Sequence, residues 1–292
     1  MLSTFGTGYA NHINPKTGRI HANFRLGGTA TGRLSCYSPN IQNPPRDRSF
    51  RELFSAPPRR LIVVADYSQI ELRVAALVSG DKNMLEIYKN GQDLHRMTAA
   101  ATAGVPYKEV TKVQRQAAKP VNFGLLYGQG YRGLARYAKA TYGVDMTDND
   151  ARVAREAFFK TYPDLRRWQE SAAQEAERTK RVVTPCGRVR DFIRESGGYR
   201  YAEALNTPIQ GGAAEVLMAA LARLPKYLDG IDAKLVNTVH DEIVLEVANN
   251  DVDRAKTALE KAMVNGMLAV YPHASTKNLV ESKAGKNWAE AK

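Results

Sequence analysis

An α+β fold is predicted for this chain by three features of its sequence. Two apolar, β-rich runs, LIVVADYS (61–68) and AKLVNTVHDEIVLEV (233–247), lie far apart in the chain. Between them, residues 81–179 read as almost continuous helices with short breaks. The 292 residues, with 43% hydrophobic content, are enough for a sizeable core and two subdomains.

Residues 1–60 are rich in Gly, Pro, Asn and Thr, which predicts short strands and turns without a long helix. So irregular a segment must lie across something larger. The run 61–68 has the continuous apolar character of a buried strand and ends on Asp66. Ser68 and Glu71 then have capping-box spacing for a helix through Val78. Asp81 can cap the next helix and Gly91 end it; Asp93 can start another, with His95 in its first turn. Thr111 and Gln114 have capping-box spacing for a central helix, and helices near 147–161 and 164–179 flank the Tyr162-Pro163 break. RVVTPCGRVRDF (181–192) predicts a hairpin turning at Pro185-Cys186-Gly187. A helical stretch over 199–224 is expected to be interrupted by Pro208 and Gly211-Gly212. A helix near 251–270 and a short β segment close the chain, and there is no internal repeat or low-complexity tract.

Lys and Arg number 42 against 30 Asp and Glu, a net charge of +12 that points weakly to a polyanionic partner. Two cysteines, Cys36 and Cys186, exclude a metal cluster of thiolates and a disulfide framework, which fits a reducing cytoplasm. No apolar run approaches the ~20 residues of a membrane span, and no signal-peptide pattern is present. The expectation is a cytoplasmic protein with no membrane partner.

The central helix carries the first functional signal. In VQRQAAKPVNFGLLYGQG (113–130), Arg115, Lys119, Phe123 and Tyr127 stand four residues apart. Four residues turn a helix by about 400°, so these side chains form one stripe. A stripe of two cations and two aromatics suits a triphosphate bearing a flat ring. Alone, it fits equally well an amphipathic helix with a solvated basic end and a buried aromatic end.

Two carboxylates carry the second. Asp66 and Asp241 each break an apolar strand pattern. A carboxylate among Val and Ile is costly unless paired or bound to a cation. Either alone would be read as a turn-capping Asp. If the two strands are antiparallel neighbours, both acids meet at one edge, where divalent metal relieves their repulsion. Two ions about 3.5–4 Å apart are the arrangement for in-line phosphoryl displacement.

DYSQIELR (66–73), the Arg115-Lys119-Phe123-Tyr127-Gly128 series and VHDE (239–242) resemble the signature motifs of the family A DNA polymerases, the bacterial DNA polymerase I and phage group. The resemblance extends to TATGRLS (29–35), PNIQNP (39–44), DLHRMTA (93–99), NTPIQGGAAE (206–215) and KNW (286–288), in one order along essentially the whole chain. It implies a right-hand polymerase architecture. A palm built on an antiparallel sheet would comprise residues 1–80, with a DNA-contacting segment, and 181–292, with the second catalytic hairpin. Helical fingers would be inserted at 81–180.

The resemblance also implies roles for individual residues. Asp66 and Asp241, with the Tyr67 carbonyl, would hold two Mg²⁺, with Glu242 a less essential acid nearby. Arg115, Lys119 and His95 would bind the β- and γ-phosphates of a dNTP, and Lys119 could protonate the pyrophosphate. Phe123 and Tyr127 would stack at the nascent base pair. Gln69 falls with the dNTP site, and Glu71 matches the steric gate that excludes a 2′-hydroxyl, which speaks against an RNA polymerase. Phe at 123, in place of Tyr, is the version that discriminates against dideoxynucleotides. Arg33, Asn40, Gln42, Asn206, Gln210 and His240 match positions that contact primer-template DNA. Ala202 stands where many relatives have a DNA-contacting Arg, so that contact is unassigned.

Two departures from the family pattern carry expectations. Pro120 inside the central helix predicts a kink or an early end to the first turn. Only 65 residues precede Asp66, so the implied helical thumb and the exonuclease domain are expected to be absent and proofreading with them. Either the chain is a fragment, or a separate polypeptide carrying the thumb and a 3′–5′ exonuclease is its partner. The alternative to an autonomous polymerase module is a thumb-less DNA-binding subunit, inactive without that partner.

Overall fold

The computed structural model describes residues 7–45, 47–193 and 199–292. In chain order the elements are β1 (Asn23–Arg25), β2 (Ser35–Tyr37), β3 (Arg60–Tyr67), α1 (Ile70–Ser79), α2 (Lys82–Lys89), α3 (Leu94–Ala103), α4 (Lys112–Leu126), α5 (Tyr131–Tyr142), α6 (Asp148–Thr161) and α7 (Pro163–Thr179). They continue with β4 (Arg181–Val183), β5 (Val189–Asp191), α8 (Tyr201–Tyr227), β6 (Ala233–Val239), β7 (Glu242–Ala248), α9 (Val252–Val270) and β8 (Val280–Gly285). Short helical turns at Thr7–Ala10 and Arg48–Glu52 complete the otherwise irregular first 60 residues.

Two compact units divide the chain. The sheet unit comprises Met1–Ser68, Ala214–Pro272 and Leu279–Lys292; the helical unit comprises Gln69–Ala213 and His273–Asn278. These divisions fall at 68/69 and 213/214, whereas the sequence reading placed them at 80/81 and 180/181. The β4–β5 hairpin goes with the helices because Val182 and Phe192 pack with Ala176 of α7 and Ala204 of α8.

In the sheet unit, four antiparallel strands run in the order β6-β7-β3-β8. One face packs Ile62, Val64, Val239 and Val244 against Trp288 and Ala291. On the other side, α9 covers β3 and β8, and the buried Tyr67 hydroxyl donates to the Met263 carbonyl at 2.6 Å. A strand buried on both faces needs no polar alternation, which is why 61–65 reads as unbroken apolar sequence. Gly266 permits the close crossing of α9 with the end of α8, since a Cβ there would lie 2.7 Å from the Ala220 amide nitrogen.

In the helical unit, α4 is packed by α1, α3, α5 and α6. Its N-terminus carries the Thr111–Gln114 capping box, and the buried Gln169 amide donates to the carbonyls of Leu125 and Leu126 at its other end. Asp81 and Asp93 cap α2 and α3 as their positions predict, accepting from Met84 N and Arg96 N.

Three local expectations bear comparison with the structure. Helix α1 starts after Gln69, which adopts a left-handed conformation at φ 56° without a side-chain cap. The Glu71 carboxylate accepts from the Tyr127 hydroxyl. Of the kink or early end expected at Pro120, the early end does not occur: helix α4 continues to Leu126, because its cap and its buried face at Ala118, Val121, Leu125 and Leu126 offset one lost hydrogen bond. Helix α8 is one 27-residue helix, uninterrupted at Pro208 or Gly211-Gly212. Burial of Leu205, Ile209, Val216 and Leu217 along it outweighs the few kcal/mol that Pro and Gly cost.

Candidate functional site

The sequence-predicted residues fall into two groups, one in each unit. In the sheet unit, Asp66 lies on the face that carries Ile62 and Val64, by the two-residue period of β3. Directly opposite stand Glu242 on β7 and Glu281 on β8. Three carboxylates thus lie in a row across three strands, an arrangement that repels. Asp241 sits one residue beyond that row, its carbonyl accepting from the Tyr67 amide at 3.2 Å. β6 and β7 close at the Val239–Glu242 pair, so His240 and Asp241 form a two-residue hairpin loop. His240 has φ 57°, which a non-glycine residue rarely adopts.

Glu242 and Asp66 are handled differently. Glu242 is buried, held by the Trp288 indole at 2.5 Å and by the Lys292 ammonium. Asp66 Oδ1 is sealed from solvent and accepts no hydrogen bond among the described residues. Burial pushes the Asp66 carboxyl up to about 6; Lys292 opposes this, Glu242 and Glu281 add to it, and Arg51 opposes it.

An orphaned, desolvated carboxylate oxygen beside other acids fits a divalent cation. Among the described residues, no group of three or more His, Cys, Asp or Glu is placed so that it could hold a metal ion. A hard ion such as Mg²⁺ does not require such a group, because it is held by one or two carboxylates while water and phosphate oxygens fill the remaining positions.

Three candidate DNA contacts, Arg33, Gln42 and His240, line one small pocket with Leu34, Ala214, Leu217 and Met218. Gln42 is buried and donates to the Thr238 carbonyl at 3.0 Å. Asn40 turns the chain beside it, its Oδ1 accepting from the Gln42 amide at 2.9 Å. Asn206 and Gln210 lie one turn apart on α8, in the part that belongs to the helical unit.

In the helical unit, Arg115, Lys119, Phe123 and Tyr127 are each half-buried, while residues 118, 120–122 and 124–126 are buried. The stripe therefore borders the buried face that α4 presents from Ala118 onward, while Lys112, Val113 and Gln116 in its first turns are exposed. Arg115 forms a two-pronged contact with Asp93 Oδ2, at 2.9 Å from Nε and 2.5 Å from Nη2. Burial raises the Asp93 carboxyl, but the hydrogen bond from Arg115 and that from the Arg96 amide hold it below its ordinary value. The His95 ring lies 5.7 Å from that of Phe123 and is buried. Burial pushes its pKa down to about 4; Asp93 opposes this, while Arg115 and Lys119 reinforce it. His95 is therefore neutral at pH 7. Gln69 Oε1 accepts from the Tyr88 hydroxyl at 3.2 Å. Gly128 has φ 76°, and a Cβ there would meet Tyr201 at 2.3 Å, so glycine follows Tyr127 for both reasons.

Sequence reasoning missed Glu281, Asp93 as the partner of Arg115, Tyr88, Lys292 and Asn122. Glu281 follows from strand register and Lys292 from a contact 50 residues away in sequence, neither of which leaves a local pattern. Asp93 carried a signal, since a capping Asp has a second oxygen to offer.

Comparisons with known proteins bear on both groups. The family model described as DNA polymerase family A matches residues 1–290. DNA polymerase I of Aquifex aeolicus (strain VF5) is 39% identical over 280 residues, covering 94% of this chain and 47% of that protein. The thermostable DNA polymerase I of Thermus aquaticus is 37% identical over 302 residues, covering 100% of this chain and 35% of that protein. Among solved structures, the POL domain of Pol1 from M. smegmatis, in complex with DNA primer-template and dNTP, matches with a TM-score of 0.88 at 30% identity. That match covers 99% of this chain and 51% of the other. The chain spans less than half the length of the two polymerase I relatives.

Proposed function

This chain belongs to DNA polymerase family A, and from that premise we propose that it catalyses DNA-templated DNA synthesis. A primer 3′-hydroxyl attacks the α-phosphorus of a dNTP, the bond to the bridging oxygen breaks, and pyrophosphate leaves. The observation that carries this reading is the carboxylate row with the orphaned Asp66 oxygen. The sheet unit is the palm and the helical unit the fingers.

Asp66 and Asp241, with the Tyr67 carbonyl, would hold two Mg²⁺. When bound there, the ions supply positive charge to the phosphates and lower the pKa of the primer hydroxyl. Glu242, fixed by Trp288 and Lys292, supports the position of the row. Arg115 and Lys119 bind the β- and γ-phosphates as cations, and His95, neutral, does so as a hydrogen-bond donor. Arg115 exchanges Asp93 for phosphate, and the Asp93 carboxylate keeps its guanidinium oriented in the meantime. Lys119 donates a proton to the departing pyrophosphate, where an ammonium is both donor and charge partner.

Phe123 and Tyr127 stack against the forming base pair. Glu71 lies beneath the sugar and excludes a 2′-hydroxyl, with Tyr127 holding its carboxylate in place, and Gln69 completes this side of the dNTP site. Arg33, Asn40, Gln42, Asn206, Gln210 and His240 contact primer-template. Contacts of that kind in the minor groove sense pairing without strong sequence preference.

The test is extension of a primed template by the purified 292-residue chain with Mg²⁺ and dNTPs at low salt, beside an Asp241→Asn control. Extension that disappears in the control supports the reading. Extension that persists in the control contradicts it, as does its absence from both proteins at saturating DNA.

A further inference from the structure

We infer that Asn122 is a positioning residue that holds His95 in the tautomer protonated at Nε2, so that an uncharged N–H is presented to a nucleotide phosphate oxygen alongside the cations Arg115 and Lys119. This rests on the reading of His95 as a phosphate contact given above.

Four buried side chains form one hydrogen-bonded relay. Asn122, Thr98 and Tyr162 are 0% exposed and His95 is 4% exposed. The Asn122 amide nitrogen lies 2.7 Å from His95 Nδ1, Asn122 Oδ1 lies 2.7 Å from the Thr98 hydroxyl, and Thr98 Oγ1 lies 3.1 Å from the Tyr162 hydroxyl. Proton bookkeeping fixes every direction in it. Tyr162 is sealed and its hydroxyl has no other hydrogen-bond partner among the described residues, so that hydroxyl must donate to Thr98 or leave a buried proton unmet. Thr98 therefore spends its own proton on Asn122 Oδ1. That orients the amide with its nitrogen toward His95, and an amide nitrogen only donates. His95 Nδ1 must then carry a lone pair, which leaves the ring proton on Nε2. The reversed amide would donate to Thr98 and leave either the Thr98 or the Tyr162 proton without an acceptor in the relay.

Nε2 makes no hydrogen bond among the described residues. The consequence is chemical. A triphosphate oxygen accepts hydrogen bonds only, so the opposite tautomer would set a lone pair against it. An imidazolium would add a third cation beside Arg115 and Lys119, which burial and those two charges oppose. The relay provides a donor without a charge, and it does so before any nucleotide arrives.

The test uses the 292-residue chain labelled with ¹⁵N-histidine, read by long-range ¹H–¹⁵N correlation at pH 7, together with equilibrium binding of the fluorescent nucleotide mant-dATP. The wild type is expected to show a bare Nδ1 and a protonated Nε2 at His95. In Asn122→Asp the carboxylate only accepts, so Nδ1 should gain a proton; in Thr98→Val, which leaves both partners in place, the two tautomers should both be populated. Binding of mant-dATP should weaken about tenfold in Asn122→Asp, as loss of a hydrogen bond to a charged group implies, and hardly further in Asn122→Asp/His95→Gln than in His95→Gln.

A wild-type His95 protonated at Nδ1, or a tautomer unchanged in both variants, overturns the positioning claim. The expected tautomers with mant-dATP affinity unmoved in both Asn122→Asp and His95→Gln overturn the phosphate-contact reading instead. An equal loss from Asn122→Asp with and without His95 shows that its added charge acts directly, and overturns the route through His95.

Discussion

The sheet unit and the helical unit treat their functional groups in opposite ways. In the sheet unit, Asp66 is left with an unmet oxygen in a row of acids, and burial raises its pKa against the opposing charge of Lys292, with Glu242 and Glu281 adding to the rise. In the helical unit, functional groups are already engaged: Arg115 by Asp93, His95 by Asn122, Tyr127 by Glu71 and Gln69 by Tyr88. The first arrangement stores repulsion that a cation would relieve. The second holds side chains oriented by partners that, in the proposed function, a ligand replaces. Charge stabilisation and substrate alignment therefore demand different kinds of preparation from the fold.

The contrast is broken most severely at Asp66. Asp66→Asn should lower primer extension by about 10³-fold or more, the scale of losing charge stabilisation at a phosphoryl-transfer centre. Its thermal midpoint should hold or rise, because a buried charge among acids is removed. A large loss of stability would show that Asp66 is structurally satisfied after all. Asp81 is the opposite case in the helical unit. Its Oδ1 accepts from Met84 N at 3.0 Å, and its Oδ2 accepts from Asp164 N at 2.9 Å and Leu165 N at 3.1 Å, so one carboxylate caps α2 and α7 together. Asp81→Ala should cost about 4 kcal/mol by denaturant unfolding, since two helix ends lose their cap at a buried site.

A pH titration of stability sharpens the comparison further. His95 is held at about 4 in the folded chain against 6.5 in a free histidine. The unfolded chain therefore takes up this proton first as pH falls. The stability carried by neutral His95 is complete above about pH 6.5 and is lost progressively toward pH 4, in all about 3 kcal/mol. His95→Gln should flatten that part of the stability–pH curve, and an identical slope in the variant would refute the assignment. The smallest effect is expected at Tyr127. Tyr127→Phe keeps the ring but releases Glu71, so ribonucleotide incorporation should rise about fivefold by the loss of one hydrogen bond. Glu71→Ala should raise it more, and the reverse ranking would remove Tyr127 from the gate.

Much of this was legible in the sequence because its signals are local. Asp81, Asp93 and the Thr111–Gln114 pair announce helix starts by spacing alone, and the apolar run before Asp66 announces a buried strand. The four-residue stripe from Arg115 to Tyr127 marks an accessible edge because helical geometry fixes which side chains align. What stayed hidden depends on partners distant in sequence. Ser68 and Glu71 have a sound local spacing, but the bond from Tyr127 to Glu71 spans 56 residues. The second role of Asp81 reaches 84 residues along the chain, and Glu281 joins the acids only through strand register. Pro208 and the two glycines suggested breaks in α8 that burial along its length overrides. Asn122 gave no sign, because a buried amide is defined by its neighbours' protons and not by its own type.

The most direct test of the division of labour is single-turnover primer extension as a function of dNTP concentration, for Asp241→Asn and Arg115→Ala side by side. Asp241→Asn is predicted to lower the maximal rate by about 10³-fold with little change in apparent dNTP affinity. Arg115→Ala is predicted to weaken that affinity by roughly 10- to 100-fold with a smaller loss of rate. The same profile in both variants, or the two profiles exchanged, would contradict the account.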